Sequence, residues 1–584
     1  MDSEIENNPW TESEPKIATR DVARLPDTTP QTKNSYTATS APASASASTS
    51  TSKVSYIRGI SSDIYLGLAI VNFHHTHGPE IEYIKWNEKH VPHTRDIVET
   101  WPFLPFQALP DGAHLYEESF SVFTLDDTRS LGTDENLGTV FAISCTRQIK
   151  SSDLIEKEDD VTRSSVQKSI VVLLKEPIYG VIHDKLSIVT KSYFEQRSFK
   201  DKSIIDILHT SLTEYYREGL AYVDESDFTT GLAPQTIIKT FQRGALVILK
   251  AILLEKRVVF YSKNSTKLCN FQLCMISLIP NLINNLHDCS SPDLDTHSRS
   301  LKLSTSFQTS NRNTVLEFAG MPLQIFGLGG IFNPYCPLQQ FDQLKNCKFY
   351  TIGSSNAMVV NMKSSISDVF IDIDSQSVEI VSDGLQNALS LTSLDRKWMD
   401  QLLDSVSRYE DTTDFQGSDD YLRMQFEDYL LGLVSTVKFQ SFISQSNGIP
   451  QDYRDFDSNQ IKHFNEEFVK HWKSTGNYEI FSKYTDDHLF DVFEPRHILS
   501  NSSKTTFSSK LQELYKKTTT IKSSITSPKF KAQETKDSKI NVSSASSPSS
   551  VKLDSKDESS AGEARNYNKI WPWNDWKKKD SKNT

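Results

Sequence analysis

The chain has 584 residues, 37% of them hydrophobic and 24% charged, enough for up to about four domains with substantial cores. Its net charge of −12 is unevenly spread: residues 501–584 carry 17 basic and 9 acidic side chains, a net of +8, leaving −20 on the first 500 residues. An acidic body excludes general nucleic-acid binding, because phosphate backbones attract surplus positive charge, and six cysteines (Cys145, Cys269, Cys274, Cys289, Cys336, Cys347) are too sparse for a disulfide scaffold.

Residues 1–57 are rich in Ser, Thr, Ala and Pro and end in SAPASASASTSTS. With so little apolar surface to bury, they are expected to form a disordered tail. The N-terminus MDSEIENNPW has no basic stretch leading into an apolar run, so no secretory signal is expected. The apolar run Ile64 to Phe73 predicts a buried strand, Gly78-Pro79 a reversal, and Glu80 to Trp86 the returning strand. Further strands are predicted at Phe120 to Leu125, Thr139 to Ile149 and Ile170 to Leu174. Ile182, Leu186, Val189 and Tyr193, spaced by four, three and four, predict a helix. Residues 58–200 thus read as a small antiparallel α/β module.

In residues 201–385 a helix is predicted from Pro234 to Glu255, with the proline harmless in its first turn. A strand, Arg257 to Ser262, and a helix, Lys267 to Leu278, follow. Short strands are expected at Phe349 to Ile352, Val359 to Asn361 and Val369 to Ile373. The polar stretch 289–313 is long for a connection and is expected to be mobile. Alternating helices and strands imply a layered α/β domain. In residues 386–482, Trp398, Leu402 and Val406; Leu422, Phe426, Tyr429, Leu433 and Val437; and Ile461, Phe464, Phe468 and Trp472 form three helical stripes, hence a small helical domain. Residues 483–584 return to Ser and Lys and are expected to be a second disordered tail. The fold class is therefore α/β plus α. The most apolar helical stretch, Ala245 to Leu254, carries Lys250 and falls well short of the roughly 20 residues of a membrane span, so the chain reads as soluble and intracellular.

The sharpest enzymatic hint is His74, His75 and His77 in FHHTHGPE. Two of these could reach one zinc, whereas a catalytic zinc takes about three protein ligands; His90 and His93 are the nearest further candidates. A structural role is preferred, with a zinc hydrolase kept as a remote alternative. Asp111-Gly112-Ala113-His114 reads as turn chemistry after Pro110. Gly327, Gly329 and Gly330 read as a tight turn, because no phosphate-loop Lys and Ser or Thr follow. Cys269 and Cys274 read as small hydrophobes. No catalytic residue, cofactor site or metal site is assigned. Near the C-terminus, Trp571, Trp573 and Trp576 precede Lys577, Lys578 and Lys579. This pattern suits a headgroup zone, where each lysine near an anionic surface gains about 1 kcal/mol. Docking on a partner or on the protein's own body is the alternative.

The segments VNFHHTHGPEIEYIKW, WPFLPFQALPDGAH, FAISCTRQI, ILLEKRVVFYS, MPLQIFGLGGIFNPYCPLQQ and MQFEDYLLGLV, in order from about residue 64 to 480, resemble the Avl family of late secretory pathway proteins in the DENN-domain superfamily. The resemblance implies a tripartite DENN arrangement: a longin-like upstream module, an α/β core and a helical downstream domain. It also implies exocytic transport from the Golgi toward the plasma membrane, at the cytoplasmic surface of Golgi or secretory-vesicle membranes. The partner implied is a small Rab-type GTPase, with the chain acting as guanine-nucleotide exchange factor or effector, through a surface formed by the first two blocks. A non-catalytic trafficking adaptor is the alternative. Exchange needs no bond-making residues: thousandfold faster nucleotide release corresponds to about 4 kcal/mol of differential binding.

Overall fold

The computed structural model describes residues 64–87, 100–127, 138–156, 164–217, 223–412, 415–445 and 459–500. The expectations for residues 1–57, for 501–584 and for the Trp571 to Lys579 cluster lie outside these residues.

The first sheet is built from β1 (Tyr65–His74), β2 (Gly78–Trp86), β3 (Glu118–Asp126), β4 (Thr139–Lys150) and β5 (Ser165–Leu174), between which lies the short helix α1 (Leu104–Ala108). Its order is β2-β1-β5-β4-β3, antiparallel throughout. Alternation along the strands assigns the two faces. The Ser121, Ser144 and Thr146 hydroxyls turn to carbonyls of α1. On the other face Phe120 stacks on His183, and Glu118 accepts from Ser187, both on α2 (Tyr179–Glu195).

The helix α3 (Ser203–Tyr215) joins the same module. Asp206 pairs with Lys85 of β2, and the Tyr65 hydroxyl lies 2.8 Å from His209 Nδ1. The first module therefore runs past residue 200 to about Tyr216, because the apolar side of α3 (Ile204, Ile205, Leu208, Leu212) is buried in the main core.

The second layer follows α4 (Glu225–Thr229) and comprises α5 (Pro234–Phe241), α6 (Gly244–Leu253), β6 (Arg257–Tyr261), α7 (Ser265–Ser277), α8 (Thr296–Ser300), α9 (Arg312–Phe318), β7 (Gly330–Asn333), β8 (Phe349–Ser354), α10 (Met358–Ile366), β9 (Val369–Asp372) and β10 (Ser377–Ile380). Its sheet order is β10-β9-β6-β8-β7, parallel except for the β9–β10 hairpin. Alternate residues separate two cores. Val258, Phe260, Phe332, Phe349, Val369 and Ile371 enter the main core, while Val259, Tyr261, Ile331, Tyr350, Ile352 and Phe370 enter a smaller one.

Several expectations are corrected here. The helix expected from Pro234 to Glu255 is two, broken at Gln242, whose φ is +49°. Val359 to Asn361, expected as a strand, lies in helix α10: the Asn356 side chain accepts from Met358 N–H, and Val359, Met362 and Ile366, spaced three and four, face the smaller core. The segment 289–313 packs on the body. Cys289 is fully buried, its carbonyl accepts from Phe332 N–H, and Asp288 accepts from Thr296 and His297.

The third layer is helical: α11 (Ser393–Thr412), α12 (Asp419–Gln445), α13 (Glu466–Trp472) and α14 (Gly476–Tyr484). The stripe from Ile461 to Trp472 is not one helix. A 3-10 turn, Gln460–Phe464, gives way at Asn465 (φ +74°), whose side chain then caps α13. Residues 483–500 do not begin a tail: α14 runs to Tyr484, and residues 486–500 continue the fold as a strap along α12. Leu489, Phe490 and Phe493 are buried, and Phe439 packs edge-on to Phe490. Gly432 on α12 allows this close approach; a Cβ there would collide with the Arg496 carbonyl oxygen. The three layers meet around a cleft of about 700 Å³ lined by, among others, Glu176, Asn284, Lys302, Phe481 and Tyr484.

Candidate functional site

Two constellations stand out, one at the surface and one buried. The surface site is the seam between the two sheets. As the outer strand of its sheet, β3 presents a row of backbone groups that would otherwise be open. Here they are covered. Phe120 N–H donates to Thr266 Oγ1 (2.8 Å), Ser265 Oγ–H donates to Phe120 O (2.7 Å), and Thr124 N–H donates to Asn333 Oδ1 (3.2 Å). At the end of this seam the turn Pro110–Leu115 docks on residues that follow the carboxyl ends of β7 and β8, the edge where open parallel sheets offer sites. Asp111 N–H donates to the Tyr335 hydroxyl (2.7 Å), Ser355 Oγ–H donates to Asp111 O (2.7 Å), and Asn356 Nδ2–H donates to Asp111 Oδ2 (2.9 Å).

Gly112, at φ +81°, makes the turn that lets Ala113 begin a short 3-10 segment. Beside this contact stand two large apolar side chains from segments more than 200 residues apart, Leu115 (63% exposed) and Met358 (59% exposed). Charged groups lie on neighbouring segments: Arg147 bonds Glu117 and Glu118, while Asp374 accepts from Ser262 Oγ–H and Lys263 N–H. Exposed apolar side chains among polar groups are features of a protein-binding surface.

The buried site centres on Asp395. Lys250, Asp395 and His497 are each wholly buried. Lys250 Nζ lies 2.6 Å from Asp395 Oδ2, 3.4 Å from the Phe464 carbonyl and 5.1 Å from the centre of the Phe468 ring. Tyr429 O–H donates to Asp395 Oδ1 (3.0 Å), and Thr392 N–H donates to Oδ2 (3.1 Å). His497 Nε2 sits 3.2 Å from Oδ1, and its Nδ1 accepts from Leu499 N–H. The imidazole is therefore neutral with its proton on Nε2. Burial opposes ionisation of Asp395, but the bonds from His497 and Lys250 prevail and hold its carboxyl well below the usual carboxylate range. Burial lowers both Lys250 and His497, with Asp395 opposing in each case.

The residues singled out in the sequence fall elsewhere. His74 Nδ1 accepts from the backbone N–H groups of Thr76 and His77, shaping the β1–β2 turn, and the His75 and His77 rings pack 4.6 and 4.5 Å from it. Among the described residues no group of three His, Cys, Asp or Glu is placed to hold a metal ion; His90 and His93 lie outside the described residues. Cys269 and Cys274 are buried thiols, each pushed up to about 12 by burial. Gly329 and Gly330 lead into strand β7. No helix among the described residues is long and apolar enough to cross a membrane.

Residues 65–437 match the family described as transport protein Avl9. The chain belongs to the Avl9 family. A relative in Saccharomyces cerevisiae, the late secretory pathway protein AVL9, is 42% identical over 470 residues, which is 75% of this chain and 61% of that protein, so the match spans less than two thirds of the relative's length. The late secretory pathway protein avl9 of Schizosaccharomyces pombe is 36% identical over 459 residues, covering 77% of this chain and 93% of that protein. The Avl9 match starts at the first strand and ends within α12, so both sheets and the whole inter-sheet seam lie inside it.

Proposed function

We propose that this Avl9-family protein serves secretory trafficking by binding a small Rab-type GTPase across the inter-sheet seam and accelerating release of its nucleotide. The observation that carries this reading is the Asp111 contact with Ser355 and Asn356, with Leu115 and Met358 exposed on the two segments it joins. Two exposed apolar side chains, one on the turn before β3 and one at the start of α10, offer a seat for a folded partner. The names of the relatives support the pathway. The DENN arrangement implied by the sequence supports the class of partner. An exchange factor of this kind stabilises the nucleotide-free GTPase; thousandfold acceleration asks for about 4 kcal/mol of preference, well within what a protein interface supplies.

The test is release of fluorescent GDP from a panel of Rab-type GTPases mixed with the full chain. At least one member should lose nucleotide faster, and Leu115→Glu with Met358→Glu should remove the effect while leaving the melting temperature intact. A panel on which no member responds sinks the exchange reading. Retained binding of a GTP-loaded member would then establish the adaptor role.

A further inference from the structure

The Asp395 cluster joins four parts of the chain that are remote in sequence. Lys250 comes from α6, Asp395 from α11, Tyr429 from α12 and His497 from the strap, and the 3-10 turn Gln460–Phe464 closes the cluster from the side. His497 also anchors the strap through its backbone: its N–H donates to Gln460 Oε1 (3.2 Å), the same oxygen that accepts from Ser500 Oγ–H (2.9 Å). The ionisable groups facing the imidazole are Asp395, Lys250, Tyr429 and His463. Its sequence neighbour Arg496 pairs with Glu494.

The charge balance is one to one. The single carboxylate of Asp395 answers the single ammonium of Lys250, and the imidazole adds no charge. A proton arriving on His497 can only go to Nδ1, the atom that accepts from Leu499 N–H. It would set two donors face to face and leave a second cation beside Lys250 with no second anion among the described residues of the pocket. Uncompensated charge in a water-free site is among the most unfavourable arrangements in a fold.

We propose that this cluster is an acid-opened latch: below neutral pH His497 takes up a proton and the strap, residues 486–500, leaves α12. The groove it vacates is lined by Phe439 and Phe442, which pack on Phe490 while the latch is shut, and by Ser435, whose hydroxyl donates to the Phe493 carbonyl. The device is independent of the GTPase reading, because none of its residues borders the inter-sheet seam.

The sign follows from linkage. In the shut state the imidazole is held neutral, below its ordinary 6.5; in the open state it regains that value. Lowering the pH therefore favours opening, and the open-to-shut ratio should rise between pH 7.5 and 5.5, by at most about tenfold.

Hydrogen–deuterium exchange of peptides spanning 486–500, in the full chain and corrected for the intrinsic effect of pH, reads this ratio directly. The expected result is a rise of up to about tenfold over that range, strongly reduced in His497→Gln, whose amide still donates to Asp395. An acid response that is absent in the unaltered chain, or that persists in the glutamine variant, overturns the latch. Should the variant fail to fold, NMR titration of 13C-labelled histidines in the unaltered chain decides. Titration of His497 well below 6.5 supports the proposal, and titration at or above 6.5 refutes it.

Discussion

At the scale of single residues, the buried ion pair shows what a linear reading can and cannot see. Lys250 is visible in the sequence as a charge stranded in an apolar run, ALVILKAILL. Nothing in that run names its partner, because Asp395 lies 145 residues further on and His497 another 102. The pair is strongly coupled, so removing one member should cost more than the pair contributes. Asp395→Asn leaves the Lys250 ammonium buried without its counter-charge and should lower stability by about 3–5 kcal/mol, measured by urea unfolding. Lys250→Met in the same background should recover part of that loss, since a buried methionine needs no anion. If the double variant is as unstable as Asp395→Asn alone, the cost does not come from stranded charge.

At the scale of elements, period was a good guide and local exceptions were not. All five strands of the first sheet are legible in the sequence, the buried ones from their apolar runs and β2 from the Gly78-Pro79 reversal before it. The errors have physical reasons. Val359-Val360 has the β-branched content of a strand, and only the Asn356 side chain accepting from Met358 N–H and the three-and-four spacing to Met362 and Ile366 reveal a helix. Strand β7 is four residues long and follows glycines that read as a turn; its strand character comes from pairing with β8, which no local feature announces. Helix α7 depends on its start in the same way: the Asn264 side chain accepts from Lys267 N–H at 2.9 Å. Asn264→Ala should therefore lower stability by about 1 kcal/mol in chemical denaturation, with the unfolding slope unchanged.

At the scale of the molecule, the contacts that join remote segments were not legible in the sequence. Composition separates the acidic body from a basic C-terminal region, yet the boundaries near residues 200 and 482 shift to about 216 and 500. Helix α3 and the strap bury their apolar sides against neighbours that composition does not reveal. The inter-sheet seam was equally hidden, because Asp111 meets Ser355 and Asn356 across more than 240 residues. The Trp571, Trp573, Trp576 and Lys577 to Lys579 cluster remains a prediction from sequence. Changing the three tryptophans to Ala should weaken sedimentation of the full chain with anionic vesicles, and added salt should weaken what binding remains. Sedimentation equal to that of the unaltered protein would assign the cluster to a proteinaceous dock instead.

The stitching of β3 to α7 and Asn333 has a consequence for recognition. With its outer rim already bonded, the strand cannot accept an extra strand from a visitor, so recruitment by strand addition is closed at that edge. A host surface ordered before contact also loses little conformational freedom on complex formation. Choosing between look-alike visitors then falls to the contour and side-chain match around Leu115 and Met358, and exchanging those two positions between family members should re-route the choice while the scaffold beneath stays the same.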